Sequence, residues 1–292
     1  MAAVRSVRPV TESWPAAASS LLRPLLARPA MRCAVVASSR TAVHLATGDP
    51  DAPVLSVVAP GGACLPGGVV LADPDGVVRL GTAGDALVGD GAVQAGEDRV
   101  TVRRWWSQPL VRLVSEPSQL VTGAGALATT LVSSGLELPA LVQSVASRLA
   151  AAIDLDDESA IRSAVHAMIG LGPGLTPAAD DVLVGALVAW HHLAIAGWSG
   201  AVDTRRPVSV AVQERLERTT VVSAALLHHA SRGESLPEVL LLLDAVCTPR
   251  ALPAALDAIA RVGPHTGPSM AYGVQLGRRA VLAARAPERV AR

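Results

Sequence analysis

The sequence has no Phe, no Lys and no Asn, and its aromatic residues amount to 2% of 292. Their codons are AT-rich, so the joint absence points to a GC-rich genome. It also excludes chemistry. All 25 basic residues are Arg, so no lysine can form a Schiff base or serve a phosphate loop. Formal net charge is zero and no basic run interleaves with aromatics, which argues against nucleic-acid binding. The cysteines, Cys33, Cys64 and Cys247, are odd in number and share no metal-ligand spacing. That suits a reducing compartment without a disulfide framework. Arg5 and Arg8 precede no apolar core of signal-peptide length. The apolar runs Val182–Trp190 and Val239–Leu243 fall short of the ~20 residues that span a bilayer. The expectation is a soluble cytoplasmic protein with no membrane and no nucleic-acid partner. No Gly-x-Ser-x-Gly elbow, Cys–His signature or dinucleotide fingerprint after a strand is present.

What is there is ample core material: half of the residues are hydrophobic, mainly Leu, Val, Ala and Ile. The length suits two ordinary domains or one large one. Short β-type runs separated by Gly, Pro and Asp occupy 33–38, 41–46, 54–59, 68–72, 77–80, 86–88 and 100–104. From Pro117 onward, helices are expected at 118–133, 139–152, 159–168, 177–196, 208–232, 237–246, 253–260 and 268–286. A loop is expected around Gly197, Gly200 and 203–207. The fold class read from this is α+β: an N-terminal antiparallel β sheet or small barrel (1–116), then a mostly α-helical domain (117–292), with a boundary at 114–118.

The most informative stretch runs from Ile169 to Asp181: Ile-Gly-Leu-Gly-Pro-Gly-Leu-Thr-Pro-Ala-Ala-Asp-Asp. Gly172 and Gly174 permit positive φ and close approach of a ligand. Thr176 is placed as an N-cap and Pro177 as the first helical residue. The helix that follows is apolar on every face, so it is central and buried. Its first turn, with Asp180 and Asp181, is then recessed too. A helix dipole stabilises a carboxylate by roughly 0.3–1 kcal/mol, ~2 when partly buried, while desolvation costs several kcal/mol. At least one of the pair therefore needs a cation or a ligand N–H donor. The plainer reading is an Asp that caps its own helix. The sharper reading is a pocket for phosphate with Mg²⁺ between, or for a ligand with one anionic and one amide end. Gly263–Ser269, with His265, Thr266 and Gly267, repeats the Gly/Pro-to-helix construction, and two such starts could meet on one ligand. Thr219, Thr220 and Ser223 form a polar spot expected mid-helix. The pairs His191-His192 and His228-His229 suit helix C-termini. Trp105-Trp106 reads as strand-end packing or an interface feature.

The Gly-Leu-Gly-Pro-Gly-Leu-Thr-Pro…Asp-Asp run resembles the signature of a bacterial family that includes the AllH-type subunit of oxamate carbamoyltransferase. The Thr219–Gly233 segment and the Gly-rich turn and helix from Val262 to Gly273 are similar to the family as well. The resemblance spans roughly 118–286. It departs at Ala179, where Gly is common, and at Ser269, where an Asp is common. It implies an enzyme that converts oxalurate and phosphate to oxamate and carbamoyl phosphate and that needs other subunits. The site residues so implied are Asp180 and Asp181 as catalytic groups, orienting a carbamoyl amide or holding Mg²⁺. Gly172, Gly174, Leu175, Thr176, Thr220, Ser223, His265, Thr266 and Gly267 would bind a small anionic substrate, namely phosphate, an oxamate-like acid or a ureide. A non-catalytic assembly subunit and a stand-alone anion-binding protein remain the other readings.

Overall fold

The computed structural model describes residues 12–113 and 117–283. The boundary expected at 114–118 falls partly outside these residues, as do Arg5, Arg8 and the end of the helix expected to run to 286. The chain divides into two compact units, Met1–Gln108 and Pro109–Arg292.

The first unit is a closed eight-stranded barrel. Its strands are β1 (Glu12–Ser19), β2 (Met31–Ser38), β3 (Ala42–Ala46), β4 (Val54–Val58), β5 (Gly68–Leu71), β6 (Asp85–Gly89), β7 (Ala92–Ala95) and β8 (Asp98–Trp106), with helices α1 (Arg23–Leu26) and α2 (Asp75–Gly81) between them. The order around the barrel is β1-β5-β4-β3-β2-β6-β7-β8, closing back on β1. The sheet is mixed: β4–β5 and β1–β8 pair in parallel, the rest antiparallel. Leu45, Leu55, Val57, Val69, Val88 and Val100 are among the aliphatics that fill it, as a chain without Phe requires.

Several elements differ from the sequence reading, which had no counterpart for β1, α1 or β7. Residues 77–80, expected as a strand, lie in α2. Asp73 accepts from Asp75 N at 2.9 Å, so Asp-Pro-Asp-Gly starts a helix rather than a hairpin turn. The buried residues Gly76, Val77 and Leu80 follow helical spacing. β1 has no β-branched residue and contains Pro15, both adverse to a strand. It is held all the same, by pairing on both sides and by the bond from Ala72 N to the Pro15 carbonyl at 3.0 Å. At the end of β8 the Arg23 guanidinium lies 4.4 Å from the Trp105 ring centre.

The second unit is helical: α3 (Pro117–Ser133), α4 (Ala140–Asp154), α5 (Glu158–Met168), α6 (Ala178–Ile195), α7 (Ser199–Gln213), α8 (Val221–Ser231), α9 (Pro237–Ala245), α10 (Leu252–Ala260) and α11 (Thr266–Ala283). Gly197 lies in the turn ahead of α7, but 199–207, expected as loop, is the first part of that helix, with Pro207 inside it. The single helix expected over 208–232 is broken. Arg215 and Thr219 leave helical conformation around a short 3-10 turn, Leu216–Arg218.

α6 is long and apolar enough to cross a membrane, but 78% of it is buried within the protein. Its main partner is α11. A methyl added at Gly273 would lie 2.9 Å from Ala186 N, and one at Gly277 2.7 Å from Ala189 Cβ. One at Gly185 would lie 2.9 Å from Val274 N. The two helices therefore meet backbone to backbone. The matched order of these contacts means that they run in the same direction and begin side by side.

Candidate functional site

The Gly-rich loop lies where three helices start. Thr176, ahead of α6, and Thr266, at the start of α11, share a hydrogen bond between hydroxyls at 3.1 Å. Thr220 caps α8 by accepting from Ser223 N at 3.0 Å, and its hydroxyl donates to the Leu175 carbonyl. The two Gly/Pro-to-helix turns touch each other here, and α8 joins them. Thr176 does not cap α6, however. Pro177 occupies the cap position without a side-chain bond, because the Thr176 hydroxyl is turned to Thr266. Thr219 and Thr220 precede α8 rather than lying mid-helix. A Thr ahead of an apolar run is an N-cap signal, and that signal was available.

The loop takes its path from glycine. Gly170 has φ +75° and a methyl there would lie 2.6 Å from the Arg218 carbonyl; Gly172 has φ +127° and faces Ala178 N at 2.8 Å. Gly172, Pro173, Gly174 and Leu175 form an exposed crest. Thr176 and Thr266 are half-buried, His265 is exposed, and Gly267 is buried against α10 near the Ile259 carbonyl.

The adjacent carboxyls, both buried, have opposite environments. Asp180 is 0% exposed and accepts from Gly170 N at 2.8 Å, from Ser223 Oγ at 2.7 Å and from the Thr219 hydroxyl. It ties the loop to α8. Burial raises its pKa, and these three donors oppose the rise. Asp181 is 1% exposed, and no donor reaches either of its oxygens with hydrogen-bond geometry. Its pKa is pushed up to about 8, first by desolvation; the Thr266 and Thr176 hydroxyls oppose the rise and the Asp180 charge adds to it. Burial thus favours its protonated form. Ser269, in the first turn of α11, is 1% exposed and its hydroxyl also lacks a partner.

Among the described residues neither carboxyl forms an ion pair, and no cluster of three His, Cys, Asp or Glu is placed to hold a metal. Three neutral donors occupy Asp180, whereas both Asp181 oxygens are without a hydrogen-bond partner. At Asp180, hydroxyls and a backbone N–H stand where the carboxylate pair was expected to need a cation. Gly170, Thr219 and Ser269 are the residues that the sequence reading left out of the site.

The histidine pairs lie elsewhere. His229 Nδ1 bonds Glu234 at 2.6 Å, and His192 Nε2 bonds the Gly233 carbonyl at 3.0 Å. These partners hold the turn that ends α8.

Residues 168–278 match the family model described as oxamate carbamoyltransferase subunit AllH. The matched stretch is narrower than 118–286. It contains the Gly-rich loop, both carboxyls, the start of α8 and most of α11. No solved structure matches the chain.

Proposed function

We propose that this chain is a subunit of a carbamoyltransferase-like complex and binds an anionic, carbamoyl-bearing substrate where α6, α8 and α11 begin. The observation that carries this reading is the buried Asp181, with neither oxygen in a hydrogen bond, beside three convergent helix starts inside the matched stretch. Helix N-termini favour anions. A neutral carboxyl beneath them adds a donor without adding negative charge.

In the oxalurate reaction a phosphate oxygen attacks the ureido carbonyl, the bond from that carbon to the oxamate nitrogen breaks, and the nitrogen takes a proton. Asp181, with a pKa of about 8, is suited to supply that proton as general acid. Asp180 is a positioning residue that holds the loop. The Thr176, Thr266 and Ser269 hydroxyls and the loop N–H groups would orient the anion, so that positioning and electrostatics carry the rest of the rate.

The test is co-expression with neighbouring genes, purification of any complex, and assay of carbamoyl phosphate turnover. Asp181→Asn should leave assembly intact and lower kcat by at least about 10²-fold. Full turnover in an intact complex would leave the second reading, an assembly subunit. The exposed Leu175 on the crest would then belong to a subunit contact.

A further inference from the structure

The far end of α8 is fastened as firmly as its start. Its last turn closes through Arg232 N to the His229 carbonyl at 2.9 Å, Gly233 N to the Ala230 carbonyl at 3.0 Å and Glu234 N to the His229 carbonyl at 3.0 Å. Gly233 takes φ +80°, and a methyl there would lie 2.2 Å from His191 Cδ2. The His191 ring, near the end of α6, is thus packed directly on the backbone of this turn. His192 Nε2 donates to the Gly233 carbonyl at 3.0 Å. Consecutive residues of α6 therefore grip one turn, the first by contact and the second by a hydrogen bond.

The grip gathers four imidazoles. The His191 and His192 rings lie 5.4 Å apart, and the His228 and His229 rings 5.7 Å. His228 Nε2 accepts from Arg232 at 3.4 Å, which only a ring unprotonated at that nitrogen can do. The charged and titratable groups that face His191 are His192, Arg205 from α7 and Glu234 from the turn. Glu234 also holds His229 Nδ1 at 2.6 Å. His191 Nδ1 is buried with no partner in hydrogen-bond geometry. A charged ring carries a proton on both nitrogens, so that N–H would go unmet. Burial holds both His191 and His192 below the ordinary 6.5, and at His191 the Arg205 and His192 charges add to it. The Ser231 carbonyl and Glu234 at His191, and the Gly233 carbonyl at His192, pull the other way without overcoming it.

We infer that the turn Ser231–Glu234 is an acid-released latch: it fastens the end of α8 to the end of α6 while the His191 and His192 rings are neutral, and lets go as they take up protons. An open turn returns the rings to water and to their ordinary value, so the open form binds protons first. The latch is therefore fully shut above about pH 6.5 and weakens as pH falls below it. Once released, α8 is still held at its start by Thr219, Thr220 and Ser223. The latch is independent of the carbamoyl reading.

The experiment is amide hydrogen exchange on the full chain between about pH 7.5 and about pH 5, each rate corrected for the intrinsic pH dependence of exchange. The Arg232, Gly233 and Glu234 amides report the latch. Ala224 N, bonded to the Thr220 carbonyl at 2.8 Å, reports the start of the same helix. Protection at the latch amides should fall by at least about 10-fold over this range, while Ala224 and the barrel strands stay within about 2-fold. The double variant His191→Gln, His192→Gln keeps a donor on each side chain but does not titrate, and should flatten the profile. Arg205→Gln leaves the latch residues in place, removes the charge facing His191 and should reduce the fall. The melting temperature at the higher pH is the fold control. Constant protection in the unmodified chain, an equal fall at Ala224 and in the barrel, or an undiminished fall in both variants would overturn the inference.

Discussion

The barrel and the helical unit treat buried polar groups in opposite ways. In the barrel, Asp49 is buried with Asp51 N at 2.9 Å, Ala52 N at 3.1 Å and Arg28 all on its carboxylate. His44 bonds Ser56 at 2.8 Å across β3 and β4. Every buried side-chain nitrogen or oxygen without a partner, among the described residues, belongs to the helical unit. Asp181, Ser269 and Gln275 are three of these, all on α6 or α11. The closed sheet satisfies its buried polar groups internally, whereas at the paired starts of α6 and α11 Asp181 and Ser269 remain for a ligand to complete.

The comparison breaks most severely at the helix contact. Gly273→Val would push a branched side chain into the Val182 carbonyl and Ala186 N and should cost at least about 3 kcal/mol. Hydrogen exchange should show protection lost in α6 and α11 but kept in the barrel strands. Next come the partnered carboxylates. Asp180→Ala strands three donors and Asp49→Ala strands two backbone N–H groups and Arg28, so each should cost about 2–3 kcal/mol in urea unfolding.

Asp181 gives the opposite signature. Its pKa is about 8 in the folded chain against an ordinary 3.8. Between those values the native state keeps a proton that the unfolded state has released. Its contribution to stability is therefore complete below about pH 4 and is lost as pH rises toward about 8, at about 1.4 kcal/mol per pH unit. Asp181→Asn should flatten the stability–pH curve by that slope. The smallest effect is expected at Ser269→Ala, which removes an unpartnered hydroxyl and should change stability by less than about 1 kcal/mol, in either direction. A loss of about 3 kcal/mol there, measured by the same unfolding, would mean that Ser269 has a structural partner and would erase the contrast with Asp49.

What was legible in the sequence followed from local rules. The uninterrupted apolar run after Asp181 gave the buried helix, and the Gly/Pro turns gave two of the three starts at the site. The third start was less visible because 208–232 follows one helical pattern; the break at Arg215–Thr219, around the 3-10 turn Leu216–Arg218, leaves the Thr220 N-cap as its local sign. The different fates of Asp180 and Asp181 were not legible. They depend on Gly170, Thr219 and Ser223, between 10 and 43 residues away, and adjacent residues of one type carry no local sign of which donors will arrive. β1 was missed because an Ala- and Pro-rich segment has no strand propensity of its own; its neighbours supply the order.

The barrel's closure has a consequence for assembly. An open sheet offers a row of free backbone N–H and C=O groups on which another chain can lay down a strand. With β1 paired to both β5 and β8, this sheet has no such border. Any subunit that docks on the barrel must recognise its side chains and loops, so specificity there is written in surface residues that point mutation can alter one at a time.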